Sequence, residues 1–156
     1  MIKALILYVM LFLATPAPLL APVNPGGRSH PVWVKPNPKR PPLDELKPFI
    51  AKYESAGGRL KVLVNRNRTV DCGLYHINSS HFAYKANKEI NRIFNKIFTF
   101  HGYGTSLHER ISAAITDDHL NEDLTRALYN LKGIKEWVSW PKIMRDYKLW
   151  KSKAAK

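Results

Sequence analysis

At 156 residues the chain has room for one ordinary domain with appendages, and its 45% apolar content suits a compact core. Lys and Arg total 25 against 12 Asp and Glu, a formal charge of +13 that favours an anionic partner (nucleic acid, acidic lipid or acidic wall polymer) without choosing among them. Cys72 is the only cysteine, which excludes an intramolecular disulfide, and a domain of about 110 residues stands without one.

Residues 1–21 open with Lys3 and an apolar run from Ala4 to Ala14, followed by Thr15-Pro16-Ala17 and Leu19-Leu20-Ala21. A short positive start before an apolar core reads as a secretory signal. Proline follows both small-residue sites, so an uncleaved N-terminal anchor and a buried helix are the alternatives. Residues 22–42 hold seven prolines, which oppose helix and sheet alike. They predict a semi-extended linker rising about 3.1 Å per residue, holding the next domain away from a membrane or virion surface.

A domain is expected over 43–145. Asp44 is placed to cap a helix carrying Leu46, Phe49, Ile50 and Tyr53, with Pro48 in its first turn and Gly57-Gly58 stopping it. Glu54 then lies in the last turn, where the negative end of the helix dipole favours the protonated carboxyl that a general acid needs; a solvated helix-end glutamate is the plainer alternative. Between 60 and 77, Val62 and Val64, a polar Asn65-Arg66-Asn67-Arg68 turn, and alternating Val70, Cys72 and Leu74 predict an antiparallel hairpin. Its second strand carries Asp71, 17 positions after Glu54. Cys72 reads as a small half-buried side chain, with a nucleophile served by His76 as the alternative. His76 and His81 lack the companions a metal site requires.

Ile90, Ile93, Phe94, Ile97 and Phe98 predict a core helix within 84–98. Ser106-Leu107-His108-Glu109 reads as a capping box for a helix bearing Leu107, Ile111, Ala114 and Ile115. A further stripe of Leu120, Leu124, Ala127, Leu128 and Leu131 runs to Gly133, with Asp117, Asp118 and Asn121 as caps. Asp117, Asp118, Glu122 and Asp123 are first-turn acids that complement a helix dipole; calcium is the alternative. Trp137 and Trp140 suit core packing or the wall of a site. Ile143, Met144, Tyr147, Leu149 and Trp150 allow a last short helix, leading into a basic tail over 146–156.

Tyr53-Glu54-Ser55-Ala56-Gly57-Gly58 together with Asp71-Cys72-Gly73-Leu74-Tyr75-His76-Ile77-Asn78-Ser79 resembles the active-site core of the lysozyme superfamily, over roughly residues 43–145. Both chicken-type lysozymes and the lysozyme-like lytic transglycosylases of bacterial secretion systems and phages share this pattern. The resemblance implies an α+β, mostly helical lysozyme-like fold with a small antiparallel β-hairpin or sheet beside the active-site cleft. It implies an enzyme cleaving the β-1,4 bond between N-acetylmuramic acid and N-acetylglucosamine in peptidoglycan. Glu54 would be the general acid, with the apolar face of Trp137 beside it, and Asp71 the nucleophile or stabiliser. Ser55, Gly73, His76, Asn78, Tyr129 and Trp137 would bind substrate. His76 stands where the family usually has glutamine.

Ala127-Leu128-Tyr129-Asn130-Leu131-Lys132-Gly133 looks like the Ala-Tyr-Asn-x-Gly block of lytic transglycosylases, whose tyrosine lies close to the catalytic glutamate. Glu136-Trp137-Val138-Ser139-Trp140 resembles the Ala-Trp-x-Ala-Trp segment of lysozymes, and the acids at 117–123 resemble those of calcium-binding relatives. The lack of disulfides departs from animal lysozymes and points to a bacterial or phage relative. The partners implied are peptidoglycan glycan strands, a membrane through residues 1–21, and a virion or secretion-channel assembly, with no nucleic acid, no cofactor and an exported location. Two alternatives stay open: a lytic transglycosylase releasing anhydromuropeptides, and a non-catalytic basic protein of the same fold that binds DNA or glycans.

Overall fold

The computed structural model describes residues 31–83 and 87–155, so the expected leader and the first part of the expected linker lie outside the described residues. Five α-helices and three short strands follow in the order α1 (Leu43–Glu54), β1 (Val62–Val64), β2 (Val70–Cys72), β3 (Ile77–Asn78), α2 (Lys88–Phe100), α3 (Leu107–Thr116), α4 (Asp118–Lys132) and α5 (Trp140–Ala154). Single 3-10 turns at Ser79–His81 and Ile134–Glu136 complete the described elements. The architecture is mixed α+β. The sheet is antiparallel, ordered β1-β2-β3. Its register pairs Leu63 with Asp71 on one side and Asp71 with Asn78 on the other.

Helix α4 is the centre of the packing, with α2 and α3 against it, while α1 lies against α5. Asp117 starts α4 by accepting the Leu120 amide at 3.0 Å, and the chain leaves it at Gly133. Its stripe of Leu120, Leu124, Ala127 and Leu128 is buried against Ile90, Ile93, Phe94, Ile97 and Phe98 of α2 and the rest of one contiguous core. Each of these large side chains contributes about 1.5–3 kcal/mol by leaving water. The start of α2 is held by Asn87, whose side chain accepts the Glu89 and Ile90 amides, a cap the sequence pattern did not single out.

Several local expectations are corrected. Pro42 occupies the cap position of α1, and Asp44 instead bonds Arg126 of α4 at 3.0 Å and Lys47 at 2.9 Å. The Ser106 side chain makes no cap bond, and Glu109 accepts the Gly104 amide at 3.0 Å. The capping box is therefore not formed: the Glu109 carboxylate reaches past the cap residue to an earlier amide.

The last stretch of the expected linker is not a free spacer. Prolines deny residues 31–42 a helix but leave their carbonyls and side chains available to α4. Trp33 Nε1 donates to Asp123 at 3.2 Å, Asn130 Nδ2 to the Val34 carbonyl at 2.9 Å, and the Tyr129 hydroxyl to the Pro41 carbonyl at 2.7 Å. At the other end, the expected tail is the body of α5. Tyr147 is buried and donates to Glu45 at 2.7 Å, and Asp146 accepts Lys52 at 3.0 Å and the Tyr53 hydroxyl. The packed unit thus exceeds 43–145 at both ends. No helix among the described residues is long and apolar enough to cross a membrane.

Candidate active site

Glu54 is the last residue of α1, and the chain reverses immediately after it. Ser55 makes that reversal rigid. Its side chain is fully buried, accepts the Gly58 amide at 2.9 Å and donates to the Leu74 carbonyl at 2.6 Å. The end of α1 is thereby tied to the loop between β2 and β3. One oxygen of the Glu54 carboxyl accepts the Ser139 backbone amide at 3.2 Å, just ahead of α5.

Asp71 lies in the middle of β2, between two amide donors. Asn78 Nδ2 donates to one carboxyl oxygen at 2.6 Å and Asn65 Nδ2 to the other at 3.0 Å. Both asparagines also reach the Thr69 hydroxyl, at 3.0 and 3.1 Å. Two side-chain amides and a hydroxyl therefore lock the aspartate's orientation before any ligand arrives.

Glu54 and Asp71 line one cleft of about 640 Å³. Leu128 of α4, with Glu136, Trp137 and Val138 from the segment between α4 and α5, forms one side, and Asn65, Arg66, Asn67, Thr69 and Asn78 the sheet side. His76, Ser80 and His81 come from the segment that follows β2. The size falls in the range of about 300–1,000 Å³ typical of ligand sites. No protein-family model, curated protein or solved structure matches the chain. The site is accordingly read from its own chemistry.

Of the predicted binding residues, Asn78, His76 and Trp137 reach the cleft. His76 takes a left-handed backbone (φ 51°) and its Nε2 sits 2.6 Å from the Leu60 carbonyl, to which it donates. The ring thus braces the loop before β1 while it lines the cleft. Trp137 is nearly fully buried, and its indole donates to the Tyr75 carbonyl at 2.7 Å. Core packing and cleft wall are one role here.

Ser55, Gly73 and Tyr129 do not line the cleft. Ser55 is spent on the two loop bonds given above. Gly73 has φ 77°, and a Cβ there would lie 2.3 Å from the Ala114 carbonyl oxygen and from Asn121 Nδ2, so its requirement is close backbone approach. Tyr129 reaches Pro41, which precedes α1, whereas Glu54 ends that helix. Twelve residues at about 1.5 Å each separate the two by roughly 18 Å along the axis.

The structure also adds residues that the motifs did not isolate. Asn121 is fully buried in α4 and makes three bonds: it accepts the Tyr75 amide at 3.1 Å and donates to the carbonyls of Cys72 at 2.9 Å and Ala114 at 3.1 Å. It fastens the β2–β3 loop to α3 and α4. Asn65, expected only as a turn residue, and Thr69, which no motif marks, complete the clamp on Asp71. His81 approaches Glu136 at 3.8 Å inside the cleft; burial lowers the pKa of His81, and Glu136 partly opposes that.

Cys72 is fully buried, and burial, with a smaller push from Asp71, raises its thiol pKa to about 12. With His76 bonded to Leu60, no thiolate–imidazole pair exists. The acids proposed for calcium are each engaged by the protein. Asp117 caps α4, Asp118 pairs with Lys61 at 2.7 Å, Glu122 with Lys47 at 2.7 Å, and Asp123 accepts His101 at 3.0 Å. Among the described residues, no group of three or more His, Cys, Asp or Glu is arranged to hold a metal ion.

Proposed function

We propose that the chain is a glycosidase of the cell wall, cleaving the β-1,4 bond between N-acetylmuramic acid and N-acetylglucosamine on a lysozyme-like scaffold. The observation that carries this reading is that Glu54, from a helix end, and Asp71, from a strand, line the same cleft. Such a reaction needs a proton on the leaving oxygen and a carboxylate near the oxocarbenium-like centre. Glu54, with one oxygen held by Ser139, presents the other to the glycosidic oxygen and gives up its proton as the bond breaks. Asp71, oriented by Asn65 and Asn78, faces the positive charge that develops on the sugar ring or bonds to its anomeric carbon. Water then attacks that carbon, and Glu54 takes back a proton from it.

The amide clamp on Asp71 favours hydrolysis, because intramolecular attack by the 6-hydroxyl has no need of a second carboxylate. The sequence sign for a transglycosylase, Tyr129, stands apart from the cleft. An exported location, with residues 1–21 as leader or anchor, goes with a wall substrate and with action within a virion or secretion channel. The test is Glu54→Gln in a wall-lysis assay. The rate should fall by roughly 10²–10⁴, the usual contribution of general acid catalysis, with an unchanged circular dichroism spectrum. Undiminished lysis by the folded variant would defeat the proposal. Mass analysis of the products decides the second step, since reducing ends indicate hydrolysis and fragments one water lighter indicate transglycosylation.

A further inference from the structure

The residues around the cleft carry an uneven charge. Glu54, Asp71 and Glu136 are its carboxylates, and Arg66 is the single Lys or Arg among the described lining residues. Arg66 is exposed and forms no ion pair with any described residue, although the chain has ion pairs at many other arginines and lysines. Its place is set by a rigid turn. The Asn65 amide donates to the Thr69 carbonyl at 2.8 Å and the Arg68 amide to the Asn65 carbonyl at 3.0 Å. The Asn67 side chain accepts the Thr69 amide at 3.1 Å and its hydroxyl at 2.8 Å. The same turn supplies Asn65 to Asp71, so the guanidinium is mounted on the element that orients the second carboxylate.

We propose that Arg66 is a specificity-determining residue that binds the carboxylate carried by one sugar of an alternating glycan, and so decides which of the two kinds of β-1,4 bond lies over Glu54. The inference rests on the glycosidase reading of this cleft. In a strand whose every second sugar bears a lactyl carboxylate, moving the chain by one sugar exchanges the two bonds. The carboxylates of Asp71 and Glu136 repel the anionic group from their part of the cleft, and one guanidinium attracts it at the hairpin tip. The register with the carboxylate on Arg66 is therefore preferred. Neutral N-acetylglucosamine oligomers lack that discriminating charge.

The experiment compares binding of two glycans by the full chain carrying Glu54→Gln, which prevents turnover during titration. One is a neutral N-acetylglucosamine oligomer; the other is a peptide-free peptidoglycan strand of equal length with free lactyl carboxylates. At low ionic strength the carboxylated strand should bind about five- to tenfold more tightly, and added salt should shrink that preference. Adding Arg66→Ala should remove the preference, weakening the carboxylated strand more than the neutral oligomer, and Arg66→Lys should restore part of it. Asn65, Asn67 and Thr69 hold the turn without the Arg66 side chain, so the variant keeps the fold. A preference that survives Arg66→Ala, or is absent at the outset, overturns the proposal. Should the wild-type chain bind with the preference but cut neither glycan, the glycosidase reading fails while the assignment of Arg66 as the carboxylate site stands.

Discussion

Replacing Asn121 by alanine removes the fastening between the β2–β3 loop and the helices, and the size of the effect follows from its bonds. Three buried hydrogen bonds, to Tyr75, Cys72 and Ala114, are lost. At about 1 kcal/mol net each they amount to about 3 kcal/mol. The buried Tyr75 amide is also left without its acceptor, and an unpartnered buried donor costs about 1–3 kcal/mol. A total of about 4–6 kcal/mol is a quarter or more of a typical domain's stability of about 5–15 kcal/mol. Urea unfolding followed by tryptophan fluorescence should show the midpoint falling with an unchanged slope, and the thermal midpoint should drop by roughly 10 °C or more. Asn121→Asp keeps an acceptor for Tyr75 but turns an oxygen toward two carbonyls, so it should not rescue stability. A loss below about 1 kcal/mol in the alanine variant would refute the account of this loop.

Two glycines with similar backbones separate strain from collision. At Gly102 (φ 82°) a Cβ meets nothing within 4 Å, so Gly102→Ala should cost only the left-handed penalty of about 1–2 kcal/mol; Gly73→Ala adds collision with the Ala114 carbonyl and should cost clearly more, or prevent folding, in the same urea assay. Cys72, fully buried with its thiol raised to about 12, should resist Ellman's reagent at pH 8 in the native protein and react fully once unfolded; immediate stoichiometric labelling of native protein contradicts its placement. Asp44 is held near 2, chiefly by its hydrogen bonds to Arg126 and Lys47, and Asp146 near 2, chiefly by Tyr53 and Lys52. Their folded values lie below the ordinary value of about 3.8, so the stability they contribute is fully present above that pH and is lost as pH falls toward 2. Asp44→Asn should flatten the acid limb of a stability-against-pH curve between about pH 4 and 2, and an unaltered limb would show that the Arg126 and Lys47 contacts carry no weight.

Periodicity located α2 and α4 because each buries a continuous face, and a face repeats every few residues. The same reasoning does not give the direction of a single side chain within a matched motif. Leu128 and Tyr129 are neighbours in the block that suggested a transglycosylase tyrosine, yet one helical step of about 100° sends Leu128 to the cleft and Tyr129 to Pro41. Ser55 and Gly73 illustrate a related limit: a motif marks residues that matter without separating those that touch a ligand from those that hold the backbone. Asn121 was read as a helix cap, since its partners at Cys72 and Tyr75 are 49 and 46 residues away and leave no local trace. Strand β3, with two residues, is too short for alternation to register. Proline content read as a spacer because composition reports what residues 31–42 do not form, and says nothing of the helix they lie against.

Four hydrogen bonds and one close backbone approach converge on residues 72–76. Ser55 grips the Leu74 carbonyl, Asn121 holds Cys72 and Tyr75, Trp137 donates to Tyr75, and Gly73 fits against Ala114 and Asn121. That loop joins the strand bearing Asp71 to the strand bearing Asn78, while Ser55 is the neighbour of Glu54 and Trp137 is part of the wall near both. The relative placement of the two carboxylates thus depends on one short segment rather than on the sheet as a whole, whose outer strand leaves Leu63 and Val64 about half exposed. Substitutions on the exposed face of β1 should then change stability by a few tenths of a kcal/mol and leave the cleft's chemistry intact. Substitutions in Ser55, Asn121, Trp137 or Ala114 should alter stability and, on the glycosidase reading, activity together, because the contacts that hold the fold there also place the two sides of the cleft.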